Sequence, residues 1–276
     1  AIQDTIKPHV VVLGGYRTKF MKKTEKFFSR FNPNVPIIIT NHQTTEMIKY
    51  AHNTFLATKI SFINQIANIC QGIPDTNIDD VANAMGLDPR IGNLFLNAGP
   101  GYGGSCLPKD IKAIINLSSK LGVNPTLLTA VEKINKQQIS HIVTLVKQNI
   151  GKINGKKLTI LGVAFKPGTD DIRNSVSIDL VKRLLKLGAK ITIHDPKALE
   201  NARKIFHDNT KYVKSVPSAL KDCQCAIIMT QWKDYEKINN KTIKQMAKKF
   251  IIDTRRVLYN KNLDAKYYAI GLGQKI

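Results

Sequence analysis

From residue 156 onward, short apolar runs alternate with amphipathic stretches of helical period. "KKLTILGVAF" reads as a buried strand, "SVSIDLVKRLLKLGA" as an amphipathic helix and "KITIHDP" as a second strand. "CAIIMT", "FIIDT" and "YYAIG" continue the series, with helices between them. A strand, a helix and a strand in succession build a parallel sheet, because the helix carries the chain back over one face of the sheet. The carboxyl-terminal part is therefore expected to be an α/β domain with a parallel sheet.

The amino-terminal part shows the same ingredients cut short. "HVVVLGG" reads as a strand ending in glycines and "PIIIT" as another, with "TKFMKKTEKFFSRF" at helical spacing between them. A doubly wound sheet needs several strands, and only its closing portion is expected here. From Thr44 the pattern changes. Met47, Ile48, Ala51, Phe55, Leu56, Ile60, Ile63, Ile66 and Ala67 recur at steps of three and four, and Gly72 closes the run. This predicts one helix of about 27 residues, beyond the usual length. Its apolar positions cover much of the circumference, so it is expected to be buried between domains or subunits. "NIDDVANAMGL" predicts a short helix with Asp79 and Asp80 near its positive end. Further helices are expected over Leu107 to Leu121 and Pro125 to Ile150, and "GKINGK" (151–156) reads as a linker. Three parts result: the end of a doubly wound α/β domain (1–42), a central helical part (43–150) and a carboxyl-terminal α/β domain (151–276).

Composition narrows the class. The 276 residues are 43% hydrophobic and contain no apolar run long enough for a membrane span. No charged-then-apolar leader opens the chain, so no secretory signal is expected. The chain begins at Ala1 rather than methionine and reads as a processed or incomplete product. Four cysteines (Cys70, Cys106, Cys223 and Cys225) are too few for a disulfide scaffold and suit a reducing cytoplasm. Cys223 and Cys225 form a C-x-C with no second Cys or His pair nearby, so no metal site is expected. The formal charge of +22 attracts polyanions. Yet the lysines are scattered, and no nucleic-acid-binding motif accompanies them. Solvated lysine-rich surfaces are the better reading, and a phosphate-bearing substrate would gain from the field.

The candidate chemistry lies in "GPGYGGSCLPKD" (99–110). Glycines let a ligand approach the backbone, and consecutive amides bind anionic oxygens. Cys106 follows at or near a helix start, with Lys109 and Asp110 within one turn. A helix amino terminus and a nearby cation favour the nucleophilic thiolate.

"RIGNLFLNAGPGYGGSCLPKD" resembles the catalytic segment of the UDP-glucose 6-dehydrogenase family. "EMIKYAHNTFLATKISFINQIA" resembles that family's central helix, "LGVAFKPGTDDIRNS" the opening of its carboxyl-terminal domain, and "IIDTRRVLY" its late arginine motif. The four blocks stand in the family's order and spacing. The resemblance implies a Rossmann remnant, a long central dimerisation helix with a helical core, and a Rossmann-like UDP-sugar-binding domain. It further implies NAD-dependent four-electron oxidation of UDP-glucose to UDP-glucuronate by a homo-oligomer, at least a dimer through Arg90 and the long helix.

The resemblance also implies roles for residues. Cys106 becomes the nucleophile that forms a thiohemiacetal and then a thioester. Lys49 and Asn53, four apart on one helix face, become stabilisers of the oxyanion at C6. Asp110 activates water for hydrolysis. Phe95, Asn97, Gly99, Gly101, Tyr102 and Gly103 wrap the sugar diphosphate, while Lys166 and Arg255 contact the substrate and Arg90 reaches a neighbouring subunit's substrate. Cys106, Lys109 and Arg173 match positions at the NAD.

Three departures stand out. No G-x-G-x-x-G turn with an acidic ribose ligand precedes residue 40, and the spacing of "LGVAFKPG" is wrong for one. Thr254 stands where a glycine is usual before the arginine, and Gln231 where glutamate is common. The chain alone is therefore expected to turn over poorly. GDP-mannose oxidation and a non-catalytic nucleotide-sugar-binding or assembly module are the alternatives, and nucleic-acid binding ranks last.

Overall fold

The computed structural model describes residues 6–16 and 18–274. The chain divides between Phe55 and Leu56 into two compact units.

In the first unit, β1 (Val11–Gly14) and β2 (Ile37–Thr40) pair in parallel, with Val11 opposite Ile37 and Gly14 opposite Thr40. Helix α1 (Lys19–Phe31) connects them. Thr18 caps it, its side chain accepting from the Met21 amide. No residue of α1 is buried. Phe20, Phe27 and Phe31 are exposed, and the rings of Phe27 and Phe31 stack 5.7 Å apart. A pair of parallel strands under one helix is a fragment of a layered α/β architecture, since parallel sheets are normally covered on both faces.

Helix α2 (His42–Cys70) has 29 residues and begins at Asn41, whose side chain accepts from the Thr44 amide. Ala57, Ile63, Ala67 and Cys70 are buried. Ile48, Phe55, Phe62 and Ile69 are exposed within the chain, Phe55 by 64%. These four recur at every seventh position, one stripe along the helix.

The second unit continues with α3 (Ile78–Gly86), α4 (Leu107–Lys120) and α5 (Thr126–Ile150). Asn77 caps α3 through the Asp79 amide at 2.9 Å, and Asp79 and Asp80 fill its first turn. Six parallel strands follow: β3 (Lys157–Leu161), β4 (Lys190–His194), β5 (Thr210–Tyr212), β6 (Cys225–Ile228), β7 (Phe250–Asp253) and β8 (Lys266–Ala269). Their order in the sheet is β5-β4-β3-β6-β7-β8. The chain starts in the middle, runs to one edge, then returns to fill the other. Helices α6 (Val176–Lys186), α7 (Leu199–Phe206), α8 (Val216–Leu220) and α9 (Asn240–Ile243) lie between the strands. This is the Rossmann order, in which the connections leaving β3 and β6 diverge and open a crevice at the strands' carboxyl ends.

All residues of β6 and β7 are buried, as expected for central parallel strands. One apolar cluster joins Ile63 of α2 and Ile142 of α5 to Ile160, Ile227 and Ile252 of the sheet. Two elements differ from the sequence reading. Strand β5 is an addition to it, because "TKY" holds no apolar run and sits at the sheet edge. Residues 151–156 form a packed turn rather than a free linker: Ile153 is buried, and the Gly155 amide donates to the Gly188 carbonyl. No helix among the described residues is long and apolar enough to cross a membrane.

Candidate active site

The crevice beyond β3 and β6 is shaped by groups fixed at the strand ends. Asp195, just after β4, is buried, and its carboxylate accepts five hydrogen bonds. The donors are the Val163 and Ala164 amides (2.7 and 3.0 Å), the Lys197 and Ala198 amides (2.9 and 2.8 Å) and the Trp232 indole (3.3 Å). This carboxylate stands at the strand end where a dinucleotide-binding domain keeps its acidic ribose ligand. Here it is committed to holding the turn that leads to Lys166. That lysine is exposed, with Nζ 5.5 Å from the Phe165 ring centre.

After β7 the chain turns through Thr254 and Arg255. Thr254 is fully buried, and its hydroxyl donates to the Ile228 carbonyl at 2.7 Å, which satisfies the polar group that a glycine would lack. Asp253 accepts from the Arg255 and Leu258 amides and the Tyr267 hydroxyl, while burial pushes its pKa up. The Arg255 guanidinium donates through Nε to the Met229 carbonyl at 3.3 Å, and no carboxylate pairs with it among the described residues. Burial, reinforced by the like charge of Arg256, lowers its pKa to about 10, so it remains a cation at neutral pH. A desolvated cation that shares only the field of Asp253 and makes no direct ion pair is costly, and an anionic ligand would relieve that cost.

The glycine-rich loop closes over this arginine. A Cβ on Gly99 would lie 2.6 Å from Arg255 Nη1. Gly101 has φ +116°, and a Cβ there would meet Asn135 Oδ1 at 2.6 Å, so that position requires glycine. Pro100, Gly101 and Gly103 line one narrow gap of about 10 Å³ together with Phe165, Met229 and Arg255. Tyr102 points inward instead. It is buried, its phenol pKa is raised chiefly by desolvation, and its hydroxyl has no partner among the described residues.

Cys106 is exposed and immediately precedes α4, with Ser105 Oγ 3.7 Å from its sulfur. Its carbonyl accepts from the Asp110 amide in the first helical turn. The Asp110 side chain is fully buried and forms an ion pair with Lys109 Nζ at 3.0 Å. Arg173 forks onto Asp171 (Nε–Oδ1 3.0 Å, Nη2–Oδ2 2.7 Å), and these bonds raise its pKa. By contrast, Cys70, Cys223 and Cys225 are buried. Desolvation pushes Cys223 up to about 11 and Cys225 well above its ordinary value.

Arg90 is exposed and forks onto Asp88 within its own turn. Phe95 is exposed with a left-handed backbone (φ +65°), and Asn97 is exposed. Lys49 is exposed and Asn53 half-buried, on the part of α2 that belongs to the first unit. Sequence reasoning missed Asp195, Asn64, Asn135, Asn174 and Arg256. Arg256 had a signal, a second basic residue beside Arg255. Its guanidinium pairs with Asp79 (2.8 Å) and donates to the Ile270 and Ala98 carbonyls (both 3.0 Å).

Comparison with known proteins matches this architecture. Residues 43–137 match the central domain of the UDP-glucose/GDP-mannose dehydrogenase family, and residues 159–260 match that family's UDP binding domain. The UDP-glucose 6-dehydrogenase of Rickettsia felis is 39% identical over 98% of this chain, which spans 62% of that protein. TuaD of Bacillus subtilis, also a UDP-glucose 6-dehydrogenase, is 38% identical over 98% of this chain, which spans 59% of it. Among solved structures, a UDP-glucose dehydrogenase from Pyrobaculum islandicum superposes with a TM-score of 0.88 at 32% identity, covering 99% of this chain and 61% of that one. With both matched segments carrying the loop, the thiol and the crevice just described, the chain belongs to the UDP-glucose/GDP-mannose dehydrogenase family.

Proposed function

We propose that this chain carries the substrate-binding and covalent machinery of a UDP-glucose 6-dehydrogenase, an enzyme that oxidises UDP-glucose to UDP-glucuronate. The observation that carries this reading is Arg255, a desolvated cation without a carboxylate partner, lining one cleft with the glycine loop that runs directly into the exposed thiol of Cys106. The higher identity and superposition with UDP-glucose dehydrogenases favour the glucose nucleotide over GDP-mannose: a GDP-mannose dehydrogenase structure superposes with a TM-score of only 0.57.

The division of labour follows residues 1–42, 43–150 and 151–276, and the two matched segments fall inside the second and third parts. Arg255 and Lys166 hold the nucleotide's anionic oxygens, with Asn97 to Gly103 over the diphosphate and Phe95 as an apolar wall. When C6 has reached the aldehyde level, the Cys106 thiolate attacks it, a sulfur–carbon bond forms, and the carbonyl electron pair moves onto oxygen. Lys49 and Asn53 stabilise that oxyanion. Loss of a second hydride converts the thiohemiacetal to a thioester. Water, giving a proton to Asp110, then cleaves the carbon–sulfur bond and releases the carboxylate with Cys106 as thiolate.

NAD is the proposed hydride acceptor of the whole protein, and Cys106, Lys109 and Arg173 are the residues of this chain that would contact it. The described residues do not form a dinucleotide cradle. The residues that follow β2 are Asn41 and His42 rather than a carboxylate, and the Asp195 carboxylate is already committed to five donors. Only substrate-side steps are therefore assigned to this chain. Arg90 and the exposed stripe of α2 belong to a homo-oligomer interface, and the cytoplasm is the proposed compartment.

Iodoacetamide labelling of Cys106 with and without UDP-glucose tests the reading. UDP-glucose at saturating concentration should slow labelling at least tenfold, while glucose alone should not. Equal labelling rates in the presence and absence of UDP-glucose, or NADH formation by this chain alone at a rate typical of the family, would refute the respective claims.

A further inference from the structure

From Asn97 to Ser105, the described residues form no hydrogen bond between two backbone groups. A loop of this length, rich in glycine, loses much conformational entropy when it is ordered. Something other than secondary structure must hold it. Five of its backbone polar groups are gripped, every one by a side chain from elsewhere.

Asn64 of α2, fully buried, accepts from the Gly99 amide at 2.7 Å. Asn135 of α5 grips Tyr102 at both ends: its Oδ1 accepts from the Tyr102 amide at 2.8 Å, and its Nδ2 donates to the Tyr102 carbonyl at 3.0 Å. Asn174, before α6, donates to the Gly104 carbonyl at 3.2 Å from a left-handed backbone (φ +49°). Arg256, after β7, donates to the Ala98 carbonyl at 3.0 Å, while its other nitrogens bind Asp79 and Ile270. The four gripping residues come from two helices and two loops spread along the chain.

We infer that Asn64, Asn135, Asn174 and Arg256 are positioning residues that pre-order the 97–105 loop for its ligand. This rests on the proposed function only in naming that ligand as UDP-glucose. Asparagine side chains suit this role. Each is neutral, so it fixes the backbone without competing with Arg255 for the anionic ligand, and Asn135 can donate and accept at once. Arg256 differs, because all its nitrogens are committed to the fold. That leaves Arg255 as the neighbouring cation available to the cleft. Pre-ordering the loop removes its ordering cost from the binding step.

The test uses the full chain, with amide hydrogen exchange read by mass spectrometry and UDP-glucose titrated by calorimetry. Asn174→Gly deletes one grip at a position where the backbone favours glycine. Asn135→Leu deletes two, and Asn135→Asp keeps the acceptor for the Tyr102 amide. Asn174→Gly and Asn135→Leu should each speed exchange in peptides covering 97–105 at least tenfold, leave β3 and β6 peptides at wild-type rates, and raise the UDP-glucose Kd at least tenfold. Asn135→Asp should show loop exchange between that of wild type and that of Asn135→Leu. Unchanged loop exchange overturns the inference, as does faster loop exchange with wild-type affinity. Faster exchange throughout the protein overturns it too, because the residues would then be general fold supports. If the wild-type chain binds no UDP-glucose, the functional reading is what fails. The clamp then stands or falls on whether the loop alone exchanges faster.

Discussion

Gly99 and Arg255 are in such close approach that a Cβ at residue 99 would lie 2.6 Å from Arg255 Nη1 and 3.1 Å from Cζ. The bare backbone of the loop is what allows the guanidinium to sit beneath it. Gly99→Ala should displace the arginine at a strain of about 1–3 kcal/mol. That corresponds to a roughly 5- to 150-fold weaker UDP-glucose affinity. Calorimetry on the variant should show this loss with the far-UV circular dichroism unchanged. Wild-type affinity would mean that Arg255 does not contact the ligand.

Thr254 departs from the family's usual glycine, and its hydroxyl is tied to the Ile228 carbonyl inside the core. Thr254→Val keeps the volume and deletes that bond. A net loss of about 1 kcal/mol of stability is expected. Urea denaturation should show a lower midpoint with an unchanged slope.

His141 and His194 are both buried enough that desolvation lowers their pKa below the ordinary 6.5. His141 Nε2 lies 2.7 Å from Gln71 Oε1, and His194 Nδ1 lies 3.1 Å from the Tyr235 hydroxyl. Below pH 6.5 the unfolded chain therefore binds more protons than the folded one, and stability rises with pH through that window. The protein should be most stable above about 6.5 and lose stability as pH falls from there towards about 5. His141→Gln, which keeps a hydrogen-bonding partner for Gln71, should show a smaller drop between about pH 7 and about pH 5 in denaturant midpoints. An identical drop would place the acid sensitivity elsewhere.

Ile48, Phe55, Phe62 and Ile69 form an exposed apolar stripe at a spacing of seven on α2. A charge in the middle of a helix–helix seam is strongly unfavourable. Phe62→Glu should convert a dimer to a monomer by light scattering without unfolding the chain. A wild-type protein that is monomeric at tens of micromolar would remove this interface.

Much of the carboxyl-terminal fold was legible because burial on both faces leaves continuous apolar runs, as in "CAIIMT" and "FIIDT". The edge strand β5 was not, since an edge position buries little and so leaves no apolar signature. The reach of α2 was legible to within two residues at each end, but not its exposed stripe, because apolar periodicity records which positions avoid water and not which neighbour excludes it. Cys106 was legible from its glycines and helix start. The asparagine grips on the loop were not, because a lone amide within a helix carries no local mark of its partner.

The adjacent arginines show where the boundary lies. Residue order alone determined that two cations follow the last central strand, that a thiol follows a glycine loop, and that strands and helices alternate. Only tertiary structure decided that Arg256 is a fastener bonded to Asp79, 177 positions away, while Arg255 is left facing a cleft. Local sequence sets backbone preference and hydrophobic period, which depend on neighbours in the chain. Whether a charge is paired depends on groups brought together by the folded sheet and helices, and no short stretch of sequence contains that information.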